Sequence, residues 1–261
     1  MSAENRGLLE QWLEIKRTEG SSPAVFMGQH LLDTYGDAVK ITEPRKIDEK
    51  AIALRHAKNE YKKNPDSLET ISNFWTTFWA RNGSKVGLDI KVDPIPTISS
   101  DYLKEAREKG KGLIYVPLEV SGQKNRYLLG EMFPKMKRDG VVEGNYFTNI
   151  LARFGWRWFD IKPDAPNLYT FECDLKKNLV NNIAAEPTLN EYIIASQISK
   201  MTTGSYLDEK TYCRILGSNF DGISALVSFH GKGGLSVQFI QSDKRSEKIG
   251  ARFSWFASPQ P

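Results

Sequence analysis

ISALVSFHGKGGLSVQFIQ, residues 223–241, is the stretch whose reading decides the fold. Ile223, Ala225, Val227 and Phe229 alternate with Ser224, Leu226, Ser228 and His230. Past the glycines, Leu235, Val237 and Phe239 alternate with Ser236, Gln238 and Ile240. Successive side chains of a strand point to opposite faces, so a period of two on both flanks predicts two strands. The other reading of the glycines is a phosphate cradle around Lys232. Both familiar forms, G-x-x-x-x-G-K-[ST] and G-x-G-x-x-G, run from a strand into a helix, whereas here a second strand follows. Parity then sets the register. Phe229 can face Leu235, and Val227 can face Val237, only across a loop with an odd number of residues; a slip of one would turn an apolar face to water. Gly231-Lys232-Gly233 meets that condition as a three-residue loop with a glycine free to take the left-handed position. The stretch is predicted to be an antiparallel hairpin.

Outward from the hairpin, "GARFSWF", "GWRWFDI" and "GLIYVPLEV" also read as strands, with Trp156 and Trp158 on one face and Arg157 on the other. "EPTLNEYIIASQISKMTTG" reads as a helix. Thr188 and Glu191 have capping-box spacing, and Gly204 sits where a left-handed C-terminal residue is wanted. "YLDEKTYCRILGS" is open between helix and strand. "RYLLGEMFPKMKRDG" is helical in its first half and broken by Pro134.

The first eighty residues read as helices. Leu8, Trp12 and Ile15 share a face of the first, and Ser22-Pro23 starts a second. Asp48 is expected to cap a third helix, running to about Lys63, and Asn64-Pro65 to start a fourth with Leu68, Ile71, Trp75 and Phe78 at helical spacing. "KVGLDIKVDPIPTISSD" reads as a short strand entering a connector extended by Pro94 and Pro96, and Asp101 as the cap of a short helix. The expected architecture is α+β: a helical region over 1–84, a mixed domain over 100–257 ending in an antiparallel hairpin sheet, and a frayed tail over 258–261.

Hydrophobic residues at 40% and charged residues at 26% fit a folded chain rather than a disordered one. The N-terminal stretch lacks the pattern of a signal peptide, and no apolar run approaches the ~20 residues that span a bilayer. Two cysteines, Cys173 and Cys213, are too few for a disulfide framework, and a cytoplasmic setting is expected. The net charge of +4 is unevenly placed: residues 44–63 hold seven basic and three acidic residues, a surplus equal to that of the whole chain.

Three constellations could carry chemistry, and the histidines are not among them. His30, His56 and His230 lie far apart without a ligand pair, so no metal site and no cofactor is expected. Serine and cysteine nucleophile signatures are absent. "KPDAPNLYTFECDLKK", residues 162–177, places Pro163-Asp164 before Asp174-Leu175-Lys176 and resembles the PD…(D/E)xK pattern of magnesium-dependent nucleases. That resemblance implies that Asp164 and Asp174 hold magnesium while Lys176 polarises the attacked phosphate or its water. The spacing between the acids is short for it and two prolines interrupt it; the competing reading is a turn and then a strand edged by solvated Lys176 and Lys177.

"SYLDEKTYCRILGSNFDG", residues 205–222, gathers polar groups, and Tyr212 with Arg214 could orient a small anionic or polar ligand. Helical geometry over 48–63 would place Arg55, Lys58 and Lys62 on one face, with Lys63 beside them, a stripe able to follow a phosphate backbone. Lys104–Lys111 and Lys135–Arg138 could extend it. The functional expectation is therefore a non-enzymatic binding protein for an anionic partner, nucleic acid first. The alternatives are the magnesium-dependent nuclease and an assembly protein acting through protein contacts or self-association.

Overall fold

The computed structural model describes residues 10–15, 18, 48–134, 152–185, 187–220, 222–229 and 234–257. The chain divides into two units, Met1–Asp48 and Glu49–Pro261. In the first, residues 10–15 are helical and Leu13 is buried. The helix expected after Ser22 lies outside the described residues, as do the Gly231–Gly233 loop, Lys135–Arg138 and the tail.

The second unit is α+β, with two small sheets; among its described residues three helices precede the first strand, and the five C-terminal strands follow the last helix. In chain order it contains α1 (Glu49–Lys63), α2 (Leu68–Ser84), α3 (Ser100–Glu108), β1 (Lys111–Val116), α4 (Leu118–Ser121) and α5 (Arg126–Met132). There follow β2 (Gly155–Asp160), α6 (Glu172–Asn181), α7 (Leu189–Thr203), β3 (Tyr212–Phe220), β4 (Ile223–Phe229), β5 (Leu235–Gln241), β6 (Ile249–Ala251) and β7 (Ser254–Phe256). One sheet has the order β1-β2-β7, all antiparallel; the other has the order β5-β4-β3-β6, with β6 parallel to β3.

The hairpin has the register that parity requires: Phe229 pairs with Leu235 and Val227 with Val237. Its burial differs from simple alternation. Ser224 through Phe229 are all buried, because β4 is an inner strand covered on both faces, while the edge strand β5 leaves Phe239 half exposed. The ambiguous stretch before it is β3.

The aromatic run of α2 is core. Phe74, Trp75, Phe78 and Trp79 recur at helical spacing, and all four are buried. The Trp79 indole donates to the Tyr115 carbonyl at 3.2 Å, and Trp156 meets Trp75 edge-on at 6.2 Å, so helix and sheet share one apolar cluster. α7 runs through the middle of this unit, buried from Leu189 to Ser196 and touching α1, α4, α5 and β1. Its capping box forms as expected: Glu191 N–H donates to the Thr188 hydroxyl at 3.1 Å, and Thr188 N–H to the Glu191 carboxylate at 2.7 Å. Gly204 closes it at φ 91°.

Several local expectations are corrected. Residues 88–99 form no strand; Pro94 and Pro96 withhold ladder donors, and the segment instead lays Ile90 and Ile98 into the core. Ser67, not Asn64, caps α2 through the Thr70 N–H, and Ser99, not Asp101, caps α3 through the Tyr102 N–H at 3.2 Å. Residues 172–181 are helix rather than strand. Leu175 and Leu179, four apart, are both buried, and the Lys176 ammonium pairs with Glu172 at 2.8 Å one turn back. Among the described residues, no helix is long and apolar enough to cross a membrane.

Candidate functional site

α1 turns Leu54 and Ala57 inward and leaves a cationic stripe beside them. Arg55, Lys62 and Lys63 are exposed and Lys58 is half-buried. Lys63 pairs with Glu60 at 2.9 Å, whereas Arg55, Lys58 and Lys62 make no ion pair among the described residues. The expected extension into Lys104–Lys111 is largely neutralised. Arg107 grips Asp66 with two nitrogens at 2.9 and 2.7 Å, Lys109 pairs with Glu105, and Lys111 lies 3.9 Å over the Trp255 ring.

The acids of 162–177 are set apart by their local roles. Asp164 is exposed in the loop after β2, and Asp174 lies in the first turn of α6 with Lys177 at 3.5 Å. Lys176 is occupied by Glu172. Among the described residues no group of three His, Cys, Asp or Glu side chains is placed to hold a metal.

Within the polar stretch 205–222, Tyr206, Asp208, Thr211 and Arg214 are buried, while Glu209 and Lys210 are exposed. Tyr206 stacks on Phe229 with centroids 4.6 Å apart, and Arg214 is fully buried, donating to the Lys244 carbonyl at 2.8 Å with Glu172 at 3.6 Å. Tyr212 is half-buried in β3 and gives its backbone N–H to the Lys248 carbonyl at 2.7 Å. Burial alone would raise the Glu172 pKa; bonds from Lys176 and Ser224, with Arg214 nearby, more than offset it and hold the carboxyl below the ordinary glutamate value. Arg214 is thereby tied to the fold rather than presented to solvent.

A further cluster was hidden in the sequence. Arg157, on the face of β2 opposite Trp156 and Trp158, is completely buried. Its Nε reaches the Glu191 carboxylate at 2.6 Å and donates to the Ser254 hydroxyl at 2.9 Å. The Ser254 hydroxyl donates in turn to Glu191 at 3.1 Å. Arg153 stands 4.0 Å from the other Glu191 oxygen, and the exposed Phe256 ring lies 4.1 Å over the Arg157 guanidinium. Burial pushes the Arg157 pKa down, Glu191 opposes that, and the Arg153 charge adds to it. Beside this cluster, α6 and β7 enclose a groove of about 580 Å³. The one legible clue was Glu191, whose capping-box role places it at the buried N-terminus of α7.

No family model, curated protein or solved structure matches this chain.

Proposed function

We propose that this protein binds an anionic polymer, nucleic acid being the favoured class, through the α1 stripe. The observation that carries the reading is the set Arg55, Lys58 and Lys62, three cations on one helical face with no acidic partner among the described residues, above a buried Leu54 and Ala57 that hold the helix in place. From Arg55 to Lys62 the stripe spans about 10 Å at the helical rise, long enough to touch successive phosphates. Arg107 and Lys109, committed to acids, add no comparable positive surface. Such contacts favour affinity over sequence selectivity, because phosphates carry no sequence information.

Fluorescence anisotropy with labelled single-stranded DNA, duplex DNA and RNA across a salt series tests this. The expected result is micromolar binding that weakens steeply with salt, with a log–log slope of about −0.9 per phosphate contact on duplex DNA. Replacing Lys58 and Lys62 with Ala should lower the slope by roughly one contact each. Absence of binding at low salt removes the reading and returns the stripe to the role of a solvated helix face.

A further inference from the structure

α1 and α7 are both 15 residues long, yet α7 buries ten of them and α1 only Leu54 and Ala57. A helix held along so narrow a seam keeps the rest of its circumference free to enter a groove. Side chains follow one another by roughly 100° around the axis, so Ile52 and Asn59, seven apart, lie on one line about half a turn from that seam. Both are exposed, Ile52 at 45%. Asn59 makes no hydrogen bond among the described residues, so its amide keeps a donor and an acceptor for an outside partner.

Charge divides α1 lengthwise about that line. Arg55, Lys58 and Lys62 run along one flank, between the line and the seam. The other flank carries Glu60, which Lys63 holds at 2.9 Å. A helix lying in the major groove of DNA needs this division: a crest that meets base edges and a cationic flank against phosphates. That groove is about 12 Å wide and takes one helix with its side chains. From Ile52 to Asn59 the crest runs about 10 Å, close to three base-pair steps. The asparagine amide complements the adenine N6 donor and N7 acceptor, and an aliphatic side chain suits the thymine methyl.

We propose that α1 enters the major groove of duplex DNA and that Asn59 reads an adenine there. Ile52 lies against a thymine methyl, and Arg55, Lys58 and Lys62 hold the phosphates of one strand. The base contact rests on the polyanion binding proposed for α1 and adds selectivity for A·T pairs to it.

Fluorescence anisotropy on the full chain tests this with two labelled duplexes: a dA·dT homopolymer, and the same duplex built with 7-deazaadenine. The modified base lacks the N7 acceptor and leaves the backbone and minor groove unaltered. A homopolymer puts adenine at every step of one strand, so the target sequence need not be known. The full chain should bind the modified duplex roughly tenfold more weakly, the worth of one base contact. Asn59→Ala keeps the fold, because Ala is the best helix former and Asn59 is exposed. The variant should bind both duplexes alike, with the salt slope unchanged because no phosphate contact is lost. No binding to either duplex at low salt would remove the polyanion reading and the base contact together. Salt-dependent binding with equal affinity for the two duplexes, or a preference that survives in Asn59→Ala, would overturn the base contact alone. So would equal or tighter binding of the corresponding RNA duplex, whose narrow major groove side chains cannot read.

Discussion

Arg252 and Asp208 form a two-pronged ion pair with both side chains fully buried: Nε to Oδ2 at 3.0 Å and Nη2 to Oδ1 at 2.7 Å. The pair sits at a junction. Arg252 also donates to the carbonyls of Asp160 and Pro163, and Asp208 accepts from the Thr211 hydroxyl at 2.8 Å. It ties the end of β2, the loop ahead of β3 and the turn between β6 and β7. Asp208 itself holds a left-handed φ of 58°, which Asn tolerates as well as Asp.

Asp208→Asn therefore keeps the backbone and the shape while leaving Arg252 buried without its counter-charge. Breaking a buried pair from one side should cost about 3–5 kcal/mol in urea unfolding. The double variant Asp208→Asn with Arg252→Met should recover part of that loss, giving a clear coupling energy in the cycle. Additive losses would show that the pair contributes nothing as a pair.

Gly250 in β6 is pressed against the loop over 163–168. A Cβ there would fall on the Pro166 carbonyl oxygen, which accepts the Ala251 N–H at 2.9 Å. Gly250→Ala should destabilise by about 1–3 kcal/mol through overpacking. A thermal melt indistinguishable from wild type would mean that the loop yields without strain.

The cap of α7 is open to a smaller test. Thr188→Ala removes the hydroxyl that accepts from Glu191 N–H and frees one half of the capping box. About 1 kcal/mol should be lost. Because Glu191 also holds Arg157, a loss well above 2 kcal/mol would show that the cap positions the ionic cluster too.

Alkaline pH should unfold the protein. Burial raises the pKa of Tyr61, of Tyr192 and of Tyr206, and it pushes Tyr115 up to about 12, against an ordinary value of 10.0. Above pH 10 the unfolded chain sheds these protons while the native state keeps them, so stability is full below that pH and drains away as it rises. Tyrosinate absorbance should show an early phase from exposed tyrosines and a late one coincident with loss of the circular dichroism signal. A single smooth titration centred near 10 would contradict the burial of those rings.

How much was readable depended on the range of the interaction. The hairpin register and the limits of α7 were legible because parity and cap chemistry act within a few residues. The helix over 172–181 is hard to read from sequence: its buried leucines are only two, and Asp174 and Lys176 fall into a nuclease-like pattern whose competing reading is a strand, while the intrahelical Glu172–Lys176 pair shows only once the helix is formed. Tyr212 and Arg214 look able to orient a ligand from sequence because nothing local shows that β3 is an inner strand.

By itself the sequence determined the α+β class, the strand pairing across 223–241 and the cationic face of α1, since each follows from periodicity along one continuous segment. Only the tertiary structure decided that four arginines, 126, 157, 214 and 252, are buried. It also decided that Arg157 meets Glu191, 34 positions away, beneath the ring of Phe256. A guanidinium reads as solvent-facing until the elements covering it are known, and those elements come from distant parts of the chain.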